Sequence, residues 1–128
     1  MKEQKDDRAK NEALAQIESI VELVSALDTE DDEARADTEQ TINEDPLDVS
    51  VRGGWHSPGQ ATDNEEFLIL LCTGGPAVRI VGKLGRYNEP ERVRVQYQDW
   101  FTSWKNYPMN RDQEADVLVY AQQFYYGE

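Results

Sequence analysis

The spacing of the apolar residues changes at Pro46, and this change limits the folds open to the chain. Before Pro46, apolar residues recur three or four positions apart, which is typical of one face of an amphipathic helix. These residues are Leu14, Ile17, Ile20, Val21, Val24 and Leu27. The pattern predicts a helix over about residues 9–27, with Glu18 and Glu22 on its exposed face.

A second helix is expected between residue 30 and Pro46, which would end it. Thr29 followed by Asp32 is a weak capping signal, and the acidic residues at 30–33 suit the positive end of a helix dipole. The apolar residues between positions 30 and 44 are Ala34, Ala36 and Ile42. A helix that can bury so little lies loosely on its neighbour, frays, or is held by a partner.

After Pro46 the apolar period becomes two, which indicates strands. Four strands are expected, over about residues 47–52, 67–72, 77–84 and 92–100. The short Gly-rich and Pro-rich turns between the later strands favour an antiparallel meander. Phe67 to Cys72 is apolar on both faces, so this strand is expected to be central. A last helix over about 111–125 is predicted from Asn110 and Gln113, which can form a capping box.

The predicted fold class is therefore α+β, with two N-terminal helices, a four-stranded antiparallel sheet and a C-terminal helix packed on that sheet. The C-terminal helix would contact the sheet through Ala115, Leu118, Val119 and Phe124. The length of 128 residues fits a single domain. Within it, residues 1–8 are expected to be disordered, 9–45 to form an acidic helical segment, and 46–128 to form the sheet and the last helix.

The negative charge is concentrated in the first half of the chain. The formal net charge is −13, with 26 acidic and 13 basic residues, and residues 1–66 carry 19 of the acidic residues but only 6 of the basic ones. Residues 67–128 carry seven of each, which predicts a neutral scaffold. We predict an acidic partner-binding surface made of Asp28, Glu30, Asp31, Asp32, Glu33, Asp37, Glu39, Glu44, Asp45 and Asp48.

This charge balance predicts the kind of partner. Phosphates would be repelled, so direct binding to nucleic acid or to an anionic membrane is not expected, whereas a basic protein surface would be attracted. Solubility alone is the simpler explanation, but it would favour evenly dispersed charge. The single cysteine, Cys72, and the lack of a signal-like or membrane-spanning apolar run predict a cytoplasmic protein.

Catalytic and metal sites are not indicated. Cys72, His56 and Asp99 could form a thiol-type triad, but a cysteine at the end of an apolar strand is usually a buried small hydrophobe. One His and one Cys cannot form a structural zinc site. Gly74-Gly75-Pro76 lacks the Lys-Ser/Thr of a phosphate loop, and residues 28–39 lack the pattern of a calcium loop. No enzyme activity and no cofactor are predicted.

Aromatic residues are dense near the C-terminus, where five fall within residues 97–107. Large aromatic side chains anchor protein interfaces, although they also close the ends of sheets. A second candidate partner-binding set is therefore Trp55, Trp100, Trp104 and Tyr107. Such a set could also join two copies of the chain in a homodimer.

Three stretches resemble small uncharacterised acidic proteins encoded by bacteriophages and prophages. They are EEFLILLCTGGPAVRIVG at 65–82, YQDWFTSW at 97–104 and QFYYGE at 123–128, and the resemblance covers about residues 44–128. It implies a phage context, in which small acidic non-enzymatic proteins include anti-CRISPR and anti-restriction inhibitors. The expected function is inhibition of a basic, nucleic-acid-handling host complex by a surface that mimics nucleic acid. The alternatives are a structural or accessory phage protein, which acts by homo-oligomerisation or by protein binding through the aromatic C-terminal region, and an enzyme.

Overall fold

The centre of the protein is one antiparallel sheet of five strands in the order β1-β2-β3-β4-β5. The computed structural model describes residues 5–55, 57–59, 64–100 and 102–127, with no side-chain description for 5–7. The elements are α1 (Lys5–Leu27), α2 (Asp32–Glu44), β1 (Asp48–Gly53), β2 (Asn64–Cys72), β3 (Ala77–Leu84), β4 (Pro90–Gln98), β5 (Lys105–Asn106) and α3 (Arg111–Ala121).

The predicted α+β class and the meander are confirmed, and the number of strands is one higher than expected. The additional strand, β5, has two residues and pairs with β4 through Gln96–Asn106 and Tyr97–Lys105. Two residues are too few for an alternating pattern, so sequence periodicity does not indicate this strand. Strand β2 lies between β1 and β3, as its apolar character predicted.

The helices cover one face of the sheet and form the hydrophobic core with it. Alternate residues of the three long strands are buried on the face that meets α1 and α3, among them Ile69, Ile80 and Val95. From α1, Ile17 and Ile20 pack into the same core. On the opposite face lie the exposed and partly exposed residues of the same strands. We call it the helix-free face, because the helices among the described residues pack on the other side.

Helix α1 begins earlier than predicted. It starts at Lys5 rather than near residue 9, so residues 5–8 are helical, while residues 1–4 of the segment predicted to be disordered lie outside the described residues. The apolar stripe extends to Ala9 and Ala13, which are fully buried. These small side chains place the first turns of α1 in the hydrophobic core, and a pattern of large apolar residues does not show this.

The N-cap of α2 is Asp31, not Thr29 as the capping signal suggested. The Asp31 carboxylate accepts hydrogen bonds from the backbone N–H groups of Glu33 (3.0 Å) and Ala34 (3.2 Å). The side-chain hydroxyl of Thr29 instead accepts a hydrogen bond from the backbone N–H of Asp31. This bond helps to fix Asp31, the residue before the helix. Asp and Thr both cap helices, and the cap lies at the position that can reach two free N–H groups.

Helix α3 is shorter than predicted and presents a different face to the core. It ends at Ala121 rather than 125, and its buried residues are Val117, Tyr120 and Ala121, whereas Ala115 is exposed. Leu118 and Phe124 pack at the margin of the core. The Asn110–Gln113 capping box is confirmed. The early end follows from Tyr126, whose hydroxyl donates to the carbonyl of Ala121 at 2.6 Å and folds the chain back.

Two buried tyrosines predict that the fold loses stability in alkaline solution. Burial raises the pKa of Tyr120, with a further rise from its bond to the Asp45 carboxylate, and burial raises the pKa of Tyr126. Their stabilising contribution is complete below the unfolded value of about 10 and is lost as the pH rises toward the higher folded values. Denaturant midpoints should therefore fall steeply above about pH 10. In Tyr120→Phe and Tyr126→Phe the decline should be shallower; an unchanged decline in both variants would contradict the assignment.

Candidate functional site

All ten carboxylates of the predicted surface, which we call the acidic segment (Asp28 to Asp48), are exposed. Five lie within α2, one caps it, two precede the cap, and Asp45 and Asp48 follow the helix. The few contacts that they make leave most of their charge unbalanced. Arg35 is the one cation in the segment, and it lies 3.7 Å from Asp32 while also donating to the carbonyl of Thr29.

The carboxylates of α2 lie on two faces of the helix. Successive residues turn by about 100°, so Glu33, Asp37 and Glu44 form a row on the side opposite Ile42, which is the buried contact of the helix. Asp32 and Glu39 lie on one flank. The acidic segment is therefore neither a single line of charge nor dispersed over the molecule, since Ile42 keeps one side of α2 turned toward the core.

Two tertiary contacts fix α2 against the rest of the fold. Ile42 is fully buried in the main core, and the hydroxyl of Tyr120 in α3 donates to Asp45 just after the helix, at 2.7 Å. Ile42 is the one fully buried residue of α2, all of which the structure describes. The prediction that this helix can bury little is thus correct, and its orientation depends on very few side chains.

The four aromatic candidates do not share one surface. Trp55 is fully exposed after β1, while Tyr107 is half-buried and packs against the core. Trp100, 55% exposed, and the half-buried Trp104 line one cleft of about 290 Å³ beside Gly74. The nearby Phe101 lies outside the described residues. Of the four candidates, Trp100 and Trp104 are the two that form a common site.

Cys72 and Asp99, two of the three residues that could form a thiol triad, contact other residues. The Cys72 thiol points to the carbonyl of Pro76 at 3.9 Å, and burial raises its pKa, which disfavours the thiolate that a nucleophile needs. The Asp99 carboxylate is bound by Arg8 of α1, and His56 lies outside the described residues. The Gly74-Gly75-Pro76 turn joins strand β2 to strand β3, as a hairpin rather than a phosphate loop.

The pair formed by Arg8 and Asp99 is a structural contact that the sequence did not reveal. Asp99 is 1% exposed, and its carboxylate accepts three guanidinium hydrogen bonds of 2.8–3.2 Å from Arg8 and one from the backbone N–H of Trp100. It ties the first described turns of α1 to the end of β4, 91 positions later. No local pattern can show a pair so distant in the sequence.

We expect Arg8→Met to lower the free energy of unfolding by about 1–2 kcal/mol, because the buried Asp99 loses its cationic partner. The half-exposed position of Arg8 keeps the loss moderate. A second change, Asp99→Asn, should cost less in the Arg8→Met background than in the wild type, and urea unfolding of the four proteins measures this coupling. Lys10→Met, which replaces an exposed cation in the same helix, is the control. Additive losses would contradict a direct interaction.

The second half of the chain has no net charge, but its cations are unevenly distributed. Four of its seven cations lie on the helix-free face of the sheet, where Arg79 and Lys83 of β3 and Arg92 and Arg94 of β4 alternate with the core residues. Arg52 of β1 joins them. The alternation of Arg92 and Arg94 with apolar residues along β4 could have indicated this face.

Comparisons with known proteins identify no relative. No family model matches the chain, and no curated protein or solved structure is significantly similar to it. Within the described part of the chain, no helix combines the length and the apolar character needed to cross a membrane, and no three His, Cys, Asp or Glu side chains are grouped as metal ligands.

Proposed function

We propose that this protein is a non-enzymatic inhibitor that uses its acidic segment to occupy a basic surface of a nucleic-acid-handling protein complex. The observation that supports this most is that all ten carboxylates are exposed, while those on α2 are oriented by one buried side chain and one tyrosine bond. Charge that serves solubility alone needs no orientation. A basic, DNA-binding or RNA-binding surface is the complement.

The spacing of the charges refines what such a surface can imitate. The row Glu33–Asp37–Glu44 spans eleven residue steps, or about 16 Å at 1.5 Å per residue. Phosphates along one DNA strand are about 3.4 Å apart, so this row alone is sparser than a nucleic-acid strand. Asp32 and Glu39, on the flank of α2, raise the number of negative charges per unit length of the helix. The carboxylates of the acidic segment are therefore better matched to a channel whose Lys and Arg side chains lie well apart than to a site whose cations bind consecutive phosphates.

The proposal places the partner in a bacterial host, on the expectation from residues 65–82, 97–104 and 123–128 that this is a bacteriophage or prophage protein. An anti-CRISPR or anti-restriction inhibitor acts in the bacterial cytoplasm and binds a host complex that itself holds nucleic acid. In this proposal the sheet and α3 serve to position α2. No cofactor or metal takes part in the mechanism, because binding alone excludes the nucleic acid from its channel.

Co-purification from a bacterial lysate tests the proposal. The test variant combines Asp31→Asn, Asp32→Asn, Glu33→Gln and Asp37→Asn; asparagine also caps helices, so the first of these changes retains the cap of α2. The matched control removes four exposed charges elsewhere, with Glu18→Gln, Glu22→Gln, Asp112→Asn and Glu114→Gln. Wild type and control should retain the same basic partner and release it as the salt concentration rises, whereas the test variant should lose it. Equal retention by the test variant would refute the proposal.

The exposed Trp100 supports a second candidate, a structural or accessory phage protein that homo-oligomerises. Trp100 is 55% exposed beside a cleft that Trp104 also lines, and tryptophans of this kind anchor interfaces. Light scattering should then report a dimer that Trp100→Ala converts to a monomer. A wild-type monomer at high protein concentration would exclude this candidate.

A further inference from the structure

The helix-free face of the sheet holds a groove whose chemistry differs from that of the acidic segment. Its volume is about 250 Å³. Leu68 and Val81, on the helix-free face of β2 and β3, supply its apolar floor, and Arg52, Arg79 and Arg94 also line it. The Val81–Arg94 and Arg79–Gln96 register pairs bring these side chains together from two adjacent strands.

Arg79 is held in one position within this groove. Its guanidinium carbon lies 3.9 Å from the centroid of the Trp104 ring, and its Nε donates to Oε1 of Gln96 at 2.8 Å. The amide nitrogen of Gln96 in turn donates to Asn106 of β5 at 2.9 Å. A stacked and hydrogen-bonded guanidinium has already lost much of its conformational freedom, so a ligand that binds it bears less of that entropic loss.

The positive charge of Arg79 has no carboxylate partner among the described residues. The ion pair in the groove joins Arg52 to Glu66 at 2.7 Å and leaves Arg79 and Arg94 unpaired within the described part of the chain. Burial lowers the pKa of Arg79, and the nearby charges of Arg52 and Arg94 lower it further. The bond from Arg52 lowers the pKa of Glu66, with contributions from Lys83 and Arg94. The lining of the groove therefore carries three cations, Arg52, Arg79 and Arg94, against one carboxylate, that of Glu66.

We propose that this groove is a binding site for a compact phosphate monoester. A phosphate dianion can receive parallel N–H bonds from several arginines, and Leu68 and Val81 would contact the apolar part of the ester. A long nucleic acid fits less well, because Asp48 projects from the same face of β1 and the whole chain carries a net charge of −13. A compact ligand avoids the Asp48 carboxylate and most of the repulsion from the net negative charge.

Calorimetric titration with three probes tests this site: inorganic phosphate, phenyl phosphate and a short oligothymidine strand. We expect phenyl phosphate to bind more tightly than inorganic phosphate, since its ring meets the apolar floor. The oligothymidine strand should bind more weakly than phenyl phosphate. Tighter binding of the strand would overturn the choice of a compact ligand, and no heat with phenyl phosphate at millimolar concentration would overturn the site.

Three variants identify the residues that bind. Arg79→Met should weaken phenyl phosphate binding by about tenfold or more, the loss expected for hydrogen bonds to a charged group. Arg94→Gln, at an exposed position, should also weaken it and provides the test if Arg79→Met does not fold. Arg86→Met removes an exposed cation from the β3–β4 turn and should leave the affinity unchanged. Equal affinity in wild type and Arg94→Gln, or an equal loss in Arg86→Met, would overturn the proposal.

Discussion

Replacing Gly82 with alanine is expected to lower the free energy of unfolding by about 3 kcal/mol or more, or to prevent folding. Gly82 lies in β3 on the face that meets the helices, opposite Val93 of β4. A Cβ at this position would come within 1.9 Å of the backbone carbonyl oxygen of Arg92 and 2.7 Å of the Phe67 ring. Backbone cannot move aside as a flexible side chain can, so β3 and β4 would have to separate.

Thermal and urea unfolding measure this effect, with Lys83→Ala as the control. Lys83 is the next residue of β3 but points away from the core and is exposed, so its replacement should change stability by less than about 0.5 kcal/mol. A Gly82→Ala protein with the same unfolding midpoint as Lys83→Ala would contradict the close packing of β3 against β4.

Replacing Ile42 with alanine is expected to detach α2 while leaving the sheet folded. The change removes the one fully buried side chain of this helix, at a cost of about 2–5 kcal/mol for a buried Ile. Within the described part of the chain, the Tyr120–Asp45 bond and contacts of partly buried residues would remain. A short helix that makes few core contacts is not stable by itself in water. The net charge is unchanged, so the variant separates the orientation of the acidic segment from its charge.

Hydrogen exchange resolved along the chain measures the detachment. In Ile42→Ala, amides of α2 should exchange much faster, while those of β2, β3 and β4 keep their protection. Thr41→Ala, an exposed change in the same helix, should alter α2 protection little. Uniform loss of protection over the whole chain would show instead that α2 and the sheet unfold as one unit.

The features of the fold that were predicted correctly depend on residues that are close together in the sequence. The change of apolar period at Pro46 separates helices from strands, the short turns indicate the meander, and the Asn110–Gln113 box marks the start of α3. The features that were missed depend on distant residues or on very short elements. Strand β5 exists only because β4 offers it a partner, and α3 ends early because Tyr126 returns to Ala121.

The candidate sites divide in the same way. The exposure of the acidic segment follows from its composition, because carboxylates without cationic partners remain in water. The arrangement of the four aromatic candidates could not be predicted from composition. Arg79 covers the ring of Trp104, for example, because β3 lies next to the segment after β4. The charge count over residues 67–128 totals zero and therefore does not indicate the basic groove. The groove becomes visible only when strand alternation places the cations on one face.

The most direct test of the central claim is a phage plaquing assay on bacteria that carry a CRISPR or restriction system and express this protein. Wild type and the variant with Glu18, Glu22, Asp112 and Glu114 neutralised should raise the efficiency of plaquing on a sensitive host. Neutralising Asp31, Asp32, Glu33 and Asp37 should abolish that rise. Full protection of the phage by this second variant, folded and expressed at the wild-type level, would contradict an inhibitor that works through its acidic segment.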